Sequence, residues 1–271
     1  IHLSLLFEEL NTVSIIDSFL SEKVSGWIKI DTGANRCGLK EYQFEEILAL
    51  AETIRKSNHL QLKGLVTHAG HSYRYKGKDQ IQDIYDQSIT ILKNIQTKLM
   101  NKGFNSIQIS VGDTPTARLV DNYLSIDELR PGNFLFYDVQ QYQADVCNLD
   151  EIAVALACPV VAFHPAQNEI VVYGGAIHLS KDSHKWNTNE PGFGLIALQN
   201  KSGMGWNDTK VFGYLRSLSQ EHGVGVFPDG IPDSVKPGCI VYVLPAHSCL
   251  TVQAMGQFIN LDGETIHTML G

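Results

Sequence analysis

The stretch Trp27-Ile28-Lys29-Ile30-Asp31-Thr32-Gly33 reads as a strand running into a glycine turn. After it, Tyr42–Ser57 places Phe44, Ile47, Leu48, Ala51 and Ile54 at helical spacing. Leu60–Thr67 is β-like and ends at His68. Asp79–Lys102 predicts a long helix with Ile81, Ile84, Tyr85, Ile91, Leu92, Ile95 and Leu99 as its apolar stripe and Gly103 as its stop. Ser106–Val111 is the next strand, ending in Gly112-Asp113-Thr114-Pro115. A short helical piece follows, and Glu128–Tyr137 carries Arg130-Pro131-Gly132-Asn133 into another apolar strand. Before the opening stretch, Ile1–Phe7 reads as a strand and Thr12–Ser21 as a helix. This β-α-β-α rhythm implies a parallel sheet or barrel with right-handed crossovers. Four or five strands are too few for an eight-stranded barrel, so either the sheet is open or the first units are absent.

Beyond Asp150 the rhythm changes. Ile152–Phe163, Glu169–Tyr173, Leu195–Leu198, Lys210–Ser217, Cys239–Leu244 and Thr251–Phe258 are strand-like, with Gly, Pro and Asn turns between them. The fold class is therefore α/β plus β: a partial TIM-type barrel over residues 1–149 and a mostly β domain over residues 150–271. The 21 basic and 29 acidic residues leave a net charge of −8, with no basic run or basic amphipathic face, which argues against nucleic acid or an anionic membrane as partner. The apolar stretches are shorter than a membrane span. Five scattered cysteines fit a reducing, cytoplasmic compartment better than a disulfide framework. The chain opens on Ile1-His2-Leu3 without a methionine, which implies upstream residues.

The candidate chemistry lies where strands end. His247 and Cys249, in Leu244-Pro245-Ala246-His247-Ser248-Cys249-Leu250-Thr251, project side by side if the preceding strand continues. An imidazole and a thiolate on one face are half of a zinc site; the alternative is a small buried hydrophobe beside a backbone-satisfied histidine. In Asp31–Gly38, Arg36 could hold a phenolate or carboxylate, or pair with Asp31 in a solvated loop. His68, His71 and Tyr73 could stack on an aromatic ligand or be ordinary loop residues. Gly112-Asp113-Thr114-Pro115 and Arg130-Pro131-Gly132-Asn133 have the character of a split phosphate cradle: small residues for close approach, with the Thr114 hydroxyl and Asn133 amide as donors. His178 and His222 sit in polar turns beside strands, where either could join the zinc site, support it from behind (His222 the better placed) or be part of an ordinary structural turn.

Together these motifs become recognisable. WIKIDTGANRCGL (residues 27–39), THAGHSY (67–73), SVGDTPTA (110–117) and ELRPGNFLFYD (128–138) resemble the alanine-racemase-like barrel of fold type III pyridoxal phosphate enzymes. SQEHG (219–223) and LPAHSCLTVQAM (244–255) narrow the resemblance to the D-serine dehydratase-like and D-threonine aldolase-like group, with motifs in order over essentially the whole chain. The resemblance implies that Gly112, Thr114, Gly132 and Asn133 hold the cofactor phosphate. It implies further that Tyr73 lies against the pyridine ring with His68 nearby and Arg36 on the ring-hydroxyl side, and that His247 and Cys249 bind zinc or another divalent metal. The family's Schiff-base lysine belongs to a first barrel strand upstream of Ile1, so it and about three strands are expected to be absent from this sequence.

The implied activity is pyridoxal phosphate- and zinc-dependent elimination from a D-β-hydroxy amino acid, most simply D-serine to pyruvate and ammonia. The ring accepts the electrons released with the α-proton, and the metal makes the β-hydroxyl a better leaving group. The first alternative is retro-aldol cleavage of D-threonine to glycine and an aldehyde; aldolase members more often carry His-x-Asp where this chain has Cys249. The second is a non-catalytic pyridoxal phosphate carrier, for which the β domain would be superfluous. The resemblance also implies a homodimer.

Overall fold

The computed structural model describes residues 2–124, 126–185, 191–203 and 205–268. The chain forms two compact units, Ile1–Gly132 and Asn133–Gly271, where the sequence reading set a boundary between residues 149 and 150.

The first unit is built on five parallel strands in sequential order: β1 (Ser4–Phe7), β2 (Val24–Lys29), β3 (Leu60–Val66), β4 (Gln108–Val111) and β5 (Glu128–Leu129). Helices α1 (Leu10–Phe19), α2 (Phe44–Lys56), α3 (Lys78–Met100) and α4 (Thr114–Leu119) make the connections. Period-2 alternation divides the sheet into two unlike faces. Ile28, Ile30, Leu65, Ile109 and Val111 join Ile47, Leu50, Ala51 and Ile54 of α2 and Leu92, Ile95 and Leu99 of α3 in one buried cluster. The apolar stripes read from the sequence are thus the buried faces of these helices. Each fully buried Leu or Ile contributes roughly 1.5–3 kcal/mol of transfer free energy. The alternate positions carry Trp27, Lys29, Val66, Ser110 and Arg130, a face that mixes buried apolar side chains with polar and charged ones. Gly103 ends α3 with φ +86, the left-handed stop its position implied.

Two readings in this half need correction. The expected strand start at Ile1 lies outside the described residues, and pairing begins at Ser4. The expected strand Glu128–Tyr137 is cut to Glu128–Leu129. The apolar run after Asn133 coils back instead: the Phe136 and Tyr137 N–H groups donate to the Asn133 carbonyl, and Tyr137 takes φ +46. Phe134 and Leu135 are 50% and 65% exposed, so this run was apolar without being a strand.

In the second unit a short helix α5 (Val139–Gln143) precedes β6 (Leu156–His164) and β7 (Glu169–Tyr173). Helix α6 (Ala176–Leu179), the two-residue strands β8 (His184–Lys185) and β9 (Pro191–Gly192), and then β10 (Gly194–Ala197), β11 (Gly213–Leu218), β12 (His222–Val226) and β13 (Ile240–Pro245) follow. Helix α7 (Ser248–Met255) and the hairpin β14 (Gln257–Ile259) and β15 (Thr265–His267) complete it. Six strands close into an antiparallel barrel in the order β10-β11-β12-β7-β6-β13 around Val160, Ile170, Val172, Ile196, Leu215, Phe227, Val241 and Val243. Residues before β6 belong to this unit because Val139, Cys147 and Ile152 share a core with Leu195, Tyr214 and Leu244.

Strand β12 escapes the pattern because its His-Gly-Val-Gly-Val sequence lacks an apolar alternation. The barrel requires that lack: a Cβ on Gly225 would come within 2.7 Å of Ile196 Cδ1. The expected strand Thr251–Phe258 is mostly helix. Gly256, with φ +69, caps α7 at its C-terminus and was the signal that the sequence reading passed over.

Packing in the first unit is tightest at Gly64, where β3 meets β4 and a Cβ would lie 2.1 Å from the Gln108 carbonyl oxygen. Gly64→Ala is therefore expected to destabilise the unit by about 3 kcal/mol or more, since the obstacle is backbone rather than a mobile side chain. Chemical denaturation checks this; an unchanged midpoint contradicts the close approach.

Candidate functional site

Each unit collects its polar side chains at strand ends. In the first, the Asp31 carboxylate at the end of β2 accepts from the Gly33 N–H (2.8 Å), the Asn35 N–H (3.1 Å) and Lys40 Nζ (2.9 Å). Burial raises its pKa, but these bonds outweigh burial and hold it below the ordinary value. Lys40, not Arg36, is thus the partner of Asp31, and Arg36 sits exposed on the loop that these bonds fix.

After β3, the 3-10 turn Gly70–Arg74 carries Tyr73, whose Oη accepts from the Thr114 N–H at 3.2 Å. The His68 ring lies 6.4 Å from Tyr73 at a 38° tilt. Burial pushes the His68 pKa down, opposed by the Asp113 charge and the Gly112 backbone. Asp113 is 1% exposed and caps α4: its carboxylate accepts from the Thr116 N–H (2.9 Å), Thr116 Oγ1 (2.8 Å) and Ser72 Oγ (2.8 Å). This one carboxylate ties the Tyr73 turn to the Thr114 turn. Gly112 is needed for close approach, since a Cβ there would meet the Arg130 carbonyl oxygen at 2.5 Å, while at Gly132 it would meet nothing within 4 Å. Gly112, Thr114 and Tyr73 are therefore adjacent, and Gly132 is open on its Cα side.

Arg130 is the residue whose part was missed. Its Nε donates to Ser110 Oγ (2.7 Å) and its guanidinium to the Thr67 carbonyl (2.7 Å), with Glu128 3.3 Å away. It is a fixed cation on the polar face of the sheet. Lys29, 8% exposed on the same face, has its pKa lowered by burial.

In the second unit the organising group is Asp138, 1% exposed. One oxygen accepts from the Gln141 N–H (2.9 Å) and so caps α5; the other accepts from Asn133 Nδ2 (2.5 Å) and the Ser248 N–H (3.4 Å). Ser248 Oγ donates to the Tyr137 carbonyl. The head of α7 is thereby tied to the turn that begins at Asn133. His247 is the N-cap of α7, with extended backbone (φ −138), and Cys249 is the second residue of the helix.

The expectation of continued strand at His247 and Cys249 is wrong in its geometry, because the chain turns helical at Ser248. The two side chains nevertheless converge. The Cys249 side chain lies within hydrogen-bond reach of the imidazole, and this contact is the largest cause raising the His247 pKa to about 9, with Asp182 and Asp138 adding to it against burial. Cys249 Sγ also donates to Asn133 Oδ1 at 3.4 Å, and His247 Nδ1 lies 2.7 Å from Asp182 Oδ2.

Asn133 therefore directs its side chain at Asp138 and Cys249. His178 and His222 do not back the pair: both rings pack edge-on against Tyr173, at 5.2 and 5.7 Å. A borderline-soft nitrogen and a sulfur in contact are a donor set that fits Zn²⁺. Among the described residues, no three His, Cys, Asp or Glu side chains cluster as a metal cage.

The segment bearing Asp182 is pinned by His184, 5% exposed, whose Nδ1 lies 3.2 Å from Gln143 Nε2 at the end of α5. Burial drops the His184 pKa from 6.5 to about 4, so the folded ring is neutral while the unfolded one takes a proton near pH 6.5. Its contribution to stability is full above pH 6.5 and is lost as pH falls through 4, a change of roughly 3 kcal/mol. Denaturant midpoints measured along this pH range should show the loss, and His184→Gln should flatten it; an equal slope in the variant contradicts the assignment.

Two family models cover nearly the whole chain. One described as "Alanine racemase, N-terminal domain" matches residues 3–140, and one described as "Putative serine dehydratase domain" matches residues 153–261. A D-serine dehydratase of Dictyostelium discoideum is 27% identical over 257 residues, covering 91% of this chain; the chain spans 64% of that relative's length. The structure of D-threo-3-hydroxyaspartate dehydratase from Delftia sp. HT23 superposes with a TM-score of 0.84 at 23% identity, over 97% of this chain and 71% of that one. D-threonine aldolase from Filomicrobium marinum superposes with a TM-score of 0.77 at 17% identity, over 96% and 66%. The two superpositions establish the fold: a parallel α/β sheet followed by an antiparallel six-stranded barrel.

Proposed function

The chain belongs to the family of the alanine racemase N-terminal domain, here followed by a putative serine dehydratase domain, and from that premise we propose that the whole protein is a pyridoxal phosphate- and metal-dependent lyase eliminating water from D-β-hydroxy amino acids, with D-serine as the first substrate. The observation that carries the reading is the contact between His247 and Cys249 at the head of α7, within the region matched by the dehydratase domain. Two further forms of the Delftia enzyme support it. A histidine and a cysteine two positions apart are replaced by alanine, and the cysteine variant is described as metal-free. His247 and Cys249 have the same spacing.

Bound pyridoxal phosphate supplies an electron sink for the substrate α-carbon, and a bound divalent cation supplies Lewis acidity to the β-hydroxyl. Each unit of the chain has its own part in this. Gly112, Thr114 and Gly132 would hold the phosphate: Thr114 is fully buried, and the Cα of Gly132 faces open space. Tyr73 and His68 would border the ring, His68 as a neutral imidazole because burial disfavours its charge. Arg130, braced by Ser110 and Thr67, adds a cation that needs no rearrangement to act.

In the second unit, His247 and Cys249 would take the metal. Loading must expel the imidazole proton, which the raised pKa makes firmly held, so metal affinity rises with pH. The reading also takes the protein as a cytoplasmic homodimer; five cysteines scattered along the chain, odd in number, fit a reducing compartment.

The test is the full-length protein with pyridoxal phosphate and zinc, offered D-serine, D-threo-3-hydroxyaspartate and D-threonine separately. Keto acid and ammonia from D-serine are expected, and His247→Ala or Cys249→Ala should lower the rate at least ~100-fold, the several kcal/mol that a Lewis acid supplies. Glycine and acetaldehyde from D-threonine, with no keto acid from any of the three, would overturn the dehydratase in favour of an aldolase.

A further inference from the structure

Asp182 lies far from His247 in sequence and in none of the motifs that carried the reading, yet its carboxylate makes the shortest contact of the His247 ring, 2.7 Å from Oδ2 to Nδ1. Two features of the second unit place it there. Helix α6 packs on α7, which brings the chain after α6 alongside His247. Ser180, at φ +66, then turns the chain, and its Oγ accepts from the Asp182 N–H at 3.2 Å. A serine in the left-handed region is an uncommon conformation held by its surroundings, and here it aims a carboxylate at a ring.

The contact decides the tautomer. Were Nδ1 without hydrogen, its lone pair would face a carboxylate oxygen at 2.7 Å, two acceptors in repulsion. With hydrogen on Nδ1 the same contact is a charge-assisted hydrogen bond. A neutral His247 so held has its lone pair on Nε2 alone.

We infer that Asp182 is the positioning residue of the metal pair: it accepts the Nδ1–H of His247, fixes the ring, and presents Nε2 as the ligand atom beside Cys249. This rests on the metal reading of His247 and Cys249 and goes beyond it by naming the ligand nitrogen and the group that selects it. The carboxylate also makes the imidazole a stronger donor, as outer carboxylates do in histidine metal sites. Asp182 itself is a supporting group and not a ligand, because its carboxylate faces Nδ1, the nitrogen that keeps its hydrogen.

The experiment titrates full-length protein with Zn²⁺ against a chromophoric chelator, for wild type, Asp182→Ala, Asp182→Glu, Asp182→Asn and His247→Ala. Circular dichroism confirms that each is folded; Asp182 is 43% exposed at its side chain, so its removal leaves no buried hole. Asp182→Ala should keep one zinc per chain at an affinity 10–100-fold weaker, Asp182→Glu should recover most of it, and Asp182→Asn should fall between. Long-range proton–nitrogen NMR of the metal-free protein, recorded above the His247 pKa of about 9 so that the ring is neutral, should show hydrogen on Nδ1 of His247 in wild type and a mixture of tautomers in Asp182→Ala. Wild-type affinity in Asp182→Ala overturns the inference alone. So does loss of zinc as complete as in His247→Ala, which makes Asp182 a ligand. A wild type that binds no zinc overturns the metal reading and the inference together.

Discussion

A single buried carboxylate, that of Asp138, holds the second unit's candidate site together. It caps α5, takes the amide of Asn133 and takes the first N–H of α7, three donors from three parts of the chain. A carboxylate this buried is disfavoured in its charged form, and these donors together with the His247 charge offset only part of the cost. Each donor left without it would cost about 1–3 kcal/mol, comparable to a sizeable part of a domain's net stability. The geometry of His247 and Cys249 follows from it, because the bond to Ser248 fixes where strand gives way to helix between them. An extended chain would have set the two side chains in parallel by periodicity alone; the capped helix instead brings them into contact.

The first unit solves a different problem with the same device. Its sheet is apolar toward the helices and mixed on the other face, where Lys29, Ser110 and Arg130 stand beside Trp27 and Val66, so the polar groups there must be organised by hydrogen bonds. Asp31 fixes the loop after β2, Asp113 joins the turns after β3 and β4, and Arg130 braces the ends of β3 and β4 through Thr67 and Ser110. Two carboxyl groups and a guanidinium, each with several partners, make the strand ends rigid. Rigidity of this kind lets a protein hold a charged cofactor without reorganising, the condition for effective electrostatic catalysis. The phosphate-cradle residues inherit it: Thr114 stands next to Asp113 in sequence, and Gly112 is squeezed against the Arg130 carbonyl.

The two units thus offer complementary chemistry. One holds Tyr73 against the Thr114 N–H and braces the Arg130 cation; the other brings a nitrogen and a sulfur together at the head of α7, the donor set of the proposed metal. Elimination of a β-hydroxyl, the proposed reaction, needs both an electron sink at the α-carbon and help for a poor leaving group, and the two family models follow one another along the chain in the order of the two units.

The sequence by itself determined the architecture wherever a periodic pattern is long. The stripes of α2 and α3, the strands β2, β3 and β4, and Glu169–Tyr173 were legible because burial of one face imposes period 3.6 or 2 on a run of residues. The motif set also named the family, since each motif sits at a strand end where backbone geometry restricts residue type. What the tertiary structure alone decided has no periodicity to read. Strand β12 was hidden because barrel closure demands glycines where alternation demands side chains. The run after Asn133 and the start of α7 were misread because apolar residues mark burial or turns as readily as strands, and a cap such as Asp138 acts through hydrogen bonds to residues about a hundred positions away. Asp182 belongs to the same class. Its role depends on the packing of α6 on α7 and on the conformation of Ser180, and only a folded chain brings that carboxylate to that imidazole.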